Sequence, residues 1–167
     1  MGRHQRRSRG DLMKIKGLIT EDFVNYKKAS MTIIFPYCTF KCGKDYCQNS
    51  FLAKAPIIEI SINDLVNRYI NNPITEAVVM QGLEPFDSWS DLKEFVQKLR
   101  EHNNDDIVIY TGYNKDEVSK YIEELSVYPN IIIKFGRYIP NQDGHYDDVL
   151  GVHLISNNQY AERISND

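Results

Sequence analysis

Hydrophobic positions along the chain fall into short β-branched runs separated by stretches with helical spacing. Met13 to Ile19 alternates apolar and polar residues and predicts a strand. Thr20 to Lys28 is polar and aromatic and predicts a turn and a second short element. Ser30 to Phe35 is a near-continuous apolar run, the pattern of a buried strand, and it returns at Ala77-Val78-Val79-Met80, at Ile107-Val108-Ile109-Tyr110 and at Ile131-Ile132-Ile133-Lys134-Phe135. Between these runs the period changes. Phe51 to Ile60 predicts an extended connection, after which Ser61 and Asp64 form a capping pair for a helix carrying Leu65, Tyr69 and Ile70 on one face, closed by Asn71-Asn72-Pro73. Leu92, Phe95, Val96 and Leu99 mark a second helix from about Ser90 to Glu101. Asn114 with Glu117 caps a third, to about Leu125. The last third is less regular: Val149 to Ile155 predicts a strand and Asn157 to Ile164 a short closing helix.

Strand and helix alternate, which predicts an α/β fold with a mainly parallel sheet and right-handed crossovers. In such sheets ligands bind beyond the carboxyl ends of the strands, so the loops after the buried runs are the places to look for chemistry. A length of 167 residues suits one domain. No run of about 18 apolar residues predicts a membrane span, no signal peptide stands at the start, and the expectation is a cytoplasmic protein. Charge changes the picture at one end only. Residues 1–12 hold Arg3, Arg6, Arg7 and Arg9 against Asp11, so the rest is more acidic than the overall net charge of -3. The segment reads as a disordered basic leader ahead of a single domain over 13–167; a basic arm for an acidic partner or RNA is the other reading. The body supports no nucleic-acid partner and no membrane partner.

All three cysteines lie in one stretch, Tyr37-Cys38-Thr39-Phe40-Lys41-Cys42-Gly43-Lys44-Asp45-Tyr46-Cys47-Gln48-Asn49, directly after the first buried run and Pro36. Three thiols within ten positions cannot make a disulfide framework, which leaves metal or redox chemistry. A 4Fe-4S cube is normally held by four thiolates, so three would leave one iron open to a ligand. A zinc site completed by His102, His145 or His153, and three unligated thiols, are the alternatives that the local pattern admits. Two further strand ends, Gly82-Leu83-Glu84-Pro85 and Tyr110-Thr111-Gly112-Tyr113, place glycine and polar groups at the same edge of the sheet. Glu84 suits a ligand ammonium or a helix cap, and Arg137 a ligand carboxylate or an acidic neighbour. Trp89, at a helix start, reads as packing.

In their order these motifs resemble those of the radical S-adenosylmethionine enzymes, and among them the small activating enzymes of anaerobic ribonucleotide reductase. Cys38-Thr39-Phe40-Lys41-Cys42 and Tyr46-Cys47 resemble the two halves of the family's cysteine motif, and Cys47-Gln48-Asn49 resembles the activators' ending of it. Gly82-Leu83-Glu84-Pro85 is similar to the Gly-Gly-Glu-Pro loop, and Tyr110-Thr111-Gly112-Tyr113 to the activators' Tyr-Thr-Gly-Tyr. Gly136-Arg137-Tyr138 and Ser156-Asn157-Asn158-Gln159 resemble two later stretches. The resemblance implies an open partial (βα) barrel, a 4Fe-4S cluster on Cys38, Cys42 and Cys47, and S-adenosylmethionine held by Tyr46, Asn49, Gly82, Glu84, Thr111 and Gly112. It implies reductive cleavage of that cofactor to a 5'-deoxyadenosyl radical, a glycyl-radical enzyme as protein substrate, and an electron donor such as flavodoxin or ferredoxin. A non-catalytic or zinc-stabilised interaction module on the same scaffold is the competing expectation. Two departures stand out. Four residues, Gly43 to Tyr46, separate Cys42 from Cys47 where the family has two; at 3.3 to 3.6 Å per extended residue such a loop easily spans a cube. Leu83 replaces a glycine.

Overall fold

The structure, a computed structural model, describes residues 12–38 and 55–165. Its centre is a six-stranded sheet. Strands β3 (Ser30–Phe35), β5 (Ala77–Gly82), β6 (Asp106–Tyr110) and β7 (Ile131–Phe135) lie side by side and parallel in that order. Antiparallel strands close both edges: β2 (Gly17–Asp22) on β3, and β10 (Tyr160–Arg163) on β7. Two small antiparallel pairs complete the strands, β1 (Leu12–Ile15) with β4 (Ile58–Ser61) and β8 (His145–Asp147) with β9 (Val152–Leu154).

The four predicted buried runs are the four parallel strands, and the reason is visible in their burial. Alternate residues face two different apolar layers, so both faces of each strand need a hydrophobic side chain. On one face Ile33, Phe35, Met80, Ile109 and Ile133 pack with Leu65 and Tyr69 of helix α1 (Ile62–Ile70) and with Phe95 and Leu99 of α2 (Trp89–Arg100). Leu125 of α3 (Ser119–Leu125) joins the same layer. Because strand order advances one step at a time, right-handed crossovers put every helix on this face. The opposite face is covered differently. Val79, Val108 and Ile132 meet Tyr26 from the β2–β3 loop, and Leu150 and Leu154 from the β8–β9 hairpin.

Caps set the helix starts. The Ser61 hydroxyl accepts the Asp64 N–H at 3.3 Å ahead of α1, as the spacing predicts. The Glu117 carboxylate accepts the Asn114 N–H at 3.0 Å, but the first turn it caps is a 3-10 helix, Lys115–Val118, and α3 follows it. The expected helix over 157–164 is instead β10, whose Ala161 and Arg163 lie opposite Lys134 and Ile132 of β7. Leu12 pairs with Ser61 and so belongs to β1. No helix among the described residues is long and apolar enough to cross a membrane.

Candidate functional site

The carboxyl ends of β3, β5, β6 and β7 meet at one pocket of about 390 Å³, lined among others by Cys38, Gly82, Glu84, Thr111, Gly112 and Lys134. Hydrogen bonding fixes how the first two loops meet. The Leu83 N–H donates to the Phe35 carbonyl at 3.2 Å and the Glu84 N–H to the Tyr37 carbonyl at 2.7 Å, which extends the β3–β5 pairing past the strands to the residue before Cys38. Gly82 permits this approach. Its φ is +102°, and a Cβ there would lie 2.5 Å from Ile34 Cγ2 and 2.7 Å from the Phe35 nitrogen. Leu83 takes no such conformation: the non-glycine residues at positive φ among those described are Asn130 and Asn141. Leu83 therefore carries its side chain without backbone strain.

Glu84 is 3% exposed. Its Oε1 accepts the Thr111 hydroxyl and the Gly112 N–H, both at 2.8 Å, and its Oε2 lies 2.9 Å from the same hydroxyl and accepts the Phe86 N–H at 3.1 Å. Three donors among the described residues hold a group with about four lone-pair directions, so those residues leave the carboxylate room for one more. Burial pushes its pKa from an ordinary 4.5 up to about 7, against the opposing pull of the three hydrogen bonds. The helix-cap and ligand readings of Glu84 are thus compatible: Oε2 caps the 3-10 helix Pro85–Ser88 that precedes α2.

Thr111 and Gly112 line the pocket, but their donors are turned to Glu84 rather than to open space. Arg137 also lines it, and its guanidinium pairs with Glu117 through Nη2, at 3.0 and 2.9 Å from the two carboxylate oxygens. Of its two sequence readings, the structure gives the acidic neighbour. The stretches 136–138 and 156–159 come together as a fastening. Asn158 Nδ2 donates to the Arg137 carbonyl at 2.9 Å, Gln159 Nε2 to the Gly136 carbonyl at 3.4 Å, and the Ile139 N–H to the Ser156 hydroxyl at 3.3 Å.

Lys134 reads in the sequence only as part of a strand, and the structure places it in the pocket. It stands on the pocket side of β7, 6% exposed, and its Nζ donates to the Gly136 carbonyl at 3.1 Å. Burial pulls its pKa from 10.5 down to about 8, with the charge of Glu84 acting the other way. A single lysine inside a five-residue apolar strand buried on both faces was the available signal.

Of the expected cluster ligands, Cys38 lines the pocket. Cys42 and Cys47, with Tyr46 and Asn49, lie outside the described residues. Among those described, no group of three His, Cys, Asp or Glu could hold a metal ion. The histidines proposed for zinc are scattered. His102 follows α2 and precedes β6, which puts it at the amino edge of the sheet, opposite Cys38. His145 Nε2 lies 2.6 Å from the Gln159 carbonyl. His153 lines the pocket, with Nε2 3.2 Å from the Asp143 carbonyl. Among known proteins, the family model of the 4Fe-4S single cluster domain matches residues 27–159, well over half of the chain and including the whole parallel sheet and all three cysteines. Comparison with curated proteins and with solved structures finds no match.

Proposed function

Because the chain belongs to the 4Fe-4S single cluster domain family, we propose that it is a radical S-adenosylmethionine protein whose cluster rests on Cys38, Cys42 and Cys47. The observation that carries this reading is a buried carboxylate with one acceptor position left, held in the pocket that Cys38 lines. Cys38 is the one proposed cluster ligand among the described residues, and it stands beside the pocket that would take the cofactor. A volume of about 390 Å³ lies within the range of small-molecule sites and suits one nucleoside-sized ligand. Three thiolates in a single loop leave a cluster iron open to such a ligand.

Each residue has a role that follows from its surroundings. Glu84 accepts the ligand ammonium through its remaining lone pair; the arriving positive charge draws its pKa down and keeps it ionised. Thr111 and Gly112 hold that carboxylate in place, and Gly82 lets the Glu84 loop pack against the chain leading to Cys38. When bound, the cluster and S-adenosylmethionine together supply reductive cleavage of the sulfonium and a 5'-deoxyadenosyl radical, chemistry that belongs to the cofactors. The chain orients the ligand and limits water around it. Tyr46 and Asn49 complete the cofactor contacts in this reading. We further propose that the sheet is the partial barrel of that family, that the radical is passed to a glycyl-radical enzyme such as anaerobic ribonucleotide reductase, and that flavodoxin or ferredoxin supplies the electron. Anaerobic reconstitution tests the premise. About four irons per chain and an electron paramagnetic resonance signal that changes on adding S-adenosylmethionine are expected; a colourless protein carrying one zinc would favour the interaction module instead.

A further inference from the structure

We propose that the groove between β2 and the end of α1 is a self-complementary surface on which a second copy of this chain docks about a two-fold axis. The surface lies on the β2 flank of the sheet, toward the amino ends of the parallel strands. It is separate from the pocket at their carboxyl ends and does not rest on the proposed function.

The groove follows from how the sheet is covered. Tyr69 of α1 packs with Met31 and Ile33 of β3 in one apolar layer, and beyond β3 the sheet ends at β2, with no further strand on that side among the described residues. What remains is a cavity of about 340 Å³ with an apolar lining of Met31, Tyr69 and Pro73, bounded by Thr20 of β2 and by Arg68 of α1. One side chain holds its shape. The Asn72 N–H donates to the Tyr69 carbonyl at 3.2 Å, Asn72 Oδ1 accepts the Ile74 N–H at 3.0 Å, and Asn72 Nδ2 donates to Glu21 Oε1 at 3.2 Å, which ties the turn after α1 to β2. A surface fixed in this way has little ordering left to undergo when something docks on it.

Four features meet on this patch, and they make two complementary pairs. The first pair is the apolar groove and the apolar side chains that flank its turn, Ile70 and Ile74, which are 40% and 49% exposed. The second is a pair of charges. Arg68, in the last turn of α1, is exposed and has no carboxylate partner among the described residues. Glu21 is exposed as well, and among those residues its side chain accepts only from the neutral Asn72 amide. A patch with charge of one sign, or with a groove and no apolar projection, would call for a partner of different composition. A patch that carries both members of each pair fits its own copy, because in a two-fold contact residue i meets j while j meets i. In that arrangement Ile74 of each copy enters the groove of the other, Arg68 of each meets Glu21 of the other, and both carboxyl edges stay open.

The test is sedimentation equilibrium of the full chain across a range of concentrations, with a thiol reductant present so that the cysteines cannot link two copies. The average mass is expected to rise from one copy toward two. Arg68→Glu and Glu21→Arg each set like charges against each other at both symmetric contacts, and each alone is expected to weaken association by about tenfold. Mixing the two variants is expected to restore it, since opposite charges then face each other across the axis at both contacts, and this recovery shows in addition that both variants are folded. Ile74→Ser is expected to weaken association without any dependence on salt, whereas the loss from either charge reversal should shrink at high ionic strength. A chain that stays a single copy at every concentration would overturn the proposal. So would association that neither reversal weakens, or a mixture that associates no better than its components.

Discussion

Both edges of the parallel sheet bury charge, and they treat it in opposite ways. At the amino edge Asp106 is surrounded by partners. Tyr26 donates to it at 2.7 Å, Lys28 lies at 3.0 Å and Arg163 at 3.6 Å. Burial alone would raise its pKa, but the hydrogen bonds and cations together outweigh burial and hold it below the ordinary aspartate range. Beside it, Asp105 accepts the hydroxyl of the buried Tyr69 at 2.6 Å. At the carboxyl edge, among the described residues, Glu84 has neutral donors and no cation in ion-pair contact, Lys134 has one neutral acceptor, and burial shifts both toward their uncharged forms. The amino edge is built for stability. The carboxyl edge holds its charges ready for something else, and that asymmetry is the physical argument for placing function there.

The comparison breaks most easily at Asp106. Asp106→Ala leaves a buried tyrosine hydroxyl without its acceptor and two half-exposed cations unpaired, so a loss of about 3 kcal/mol in urea unfolding is expected. A loss under about 1 kcal/mol would mean that the amino edge is no more structural than the other.

Titration sharpens the contrast because the signs differ. Glu84 has a folded pKa of about 7 against 4.5, so the folded state holds the proton more tightly and stability falls as pH rises from about 4.5 to 7. The fall is on the order of 3 kcal/mol, and Glu84→Gln should flatten it. Lys134, lowered to about 8, adds stability as pH rises from 8 toward 10.5, and Lys134→Met should remove that rise. Asp106 contributes in the usual carboxylate sense: its share is present at neutral pH and is lost as pH falls below about 4. Unfolding free energies measured across these windows should therefore show a dip at neutral pH that belongs to the carboxyl edge alone.

The smallest effect is expected at Thr111. Thr111→Val removes one of three donors to Glu84 and should cost about 1 kcal/mol. It should also raise the Glu84 pKa above about 7, so that the fall in stability that starts near 4.5 continues to higher pH. A profile that does not move would mean that the hydroxyl is not what holds the carboxylate.

These residues also show what could be seen in the sequence and what could not. The parallel strands were legible because burial on both faces demands unbroken apolar runs, and the cap at Ser61 because a side-chain acceptor ahead of an amphipathic run has one common use. β10 was not legible. Tyr160 and Ile164 have helical spacing, and only the free edge of β7, a partner 25 or more positions away, makes the segment a strand. Glu84 stood out from its place after a strand, whereas its ties to Thr111 and Gly112 depend on β5 and β6 being neighbours. Lys134 was hidden by its own strand. Among the described residues no carboxylate lies within ion-pair distance of it, and sequence alone does not say which residues a buried side chain will meet. Tyr26, Tyr69 and Tyr110 each place a hydroxyl on a specific acceptor, Asp106, Asp105 and the Asn25 carbonyl, pairings that span the chain and that periodicity does not show.

The central claim is that the carboxyl edge holds a cluster and a sulfonium nucleoside for radical chemistry. Its most direct test is to reduce the anaerobically reconstituted protein in the presence of S-adenosylmethionine and quantify the nucleoside released. The account predicts 5'-deoxyadenosine and methionine in equal amounts, with formation lost in Cys38→Ala and reduced at least tenfold in Glu84→Gln. A protein that binds its full complement of iron, is reduced, and releases no 5'-deoxyadenosine would contradict it.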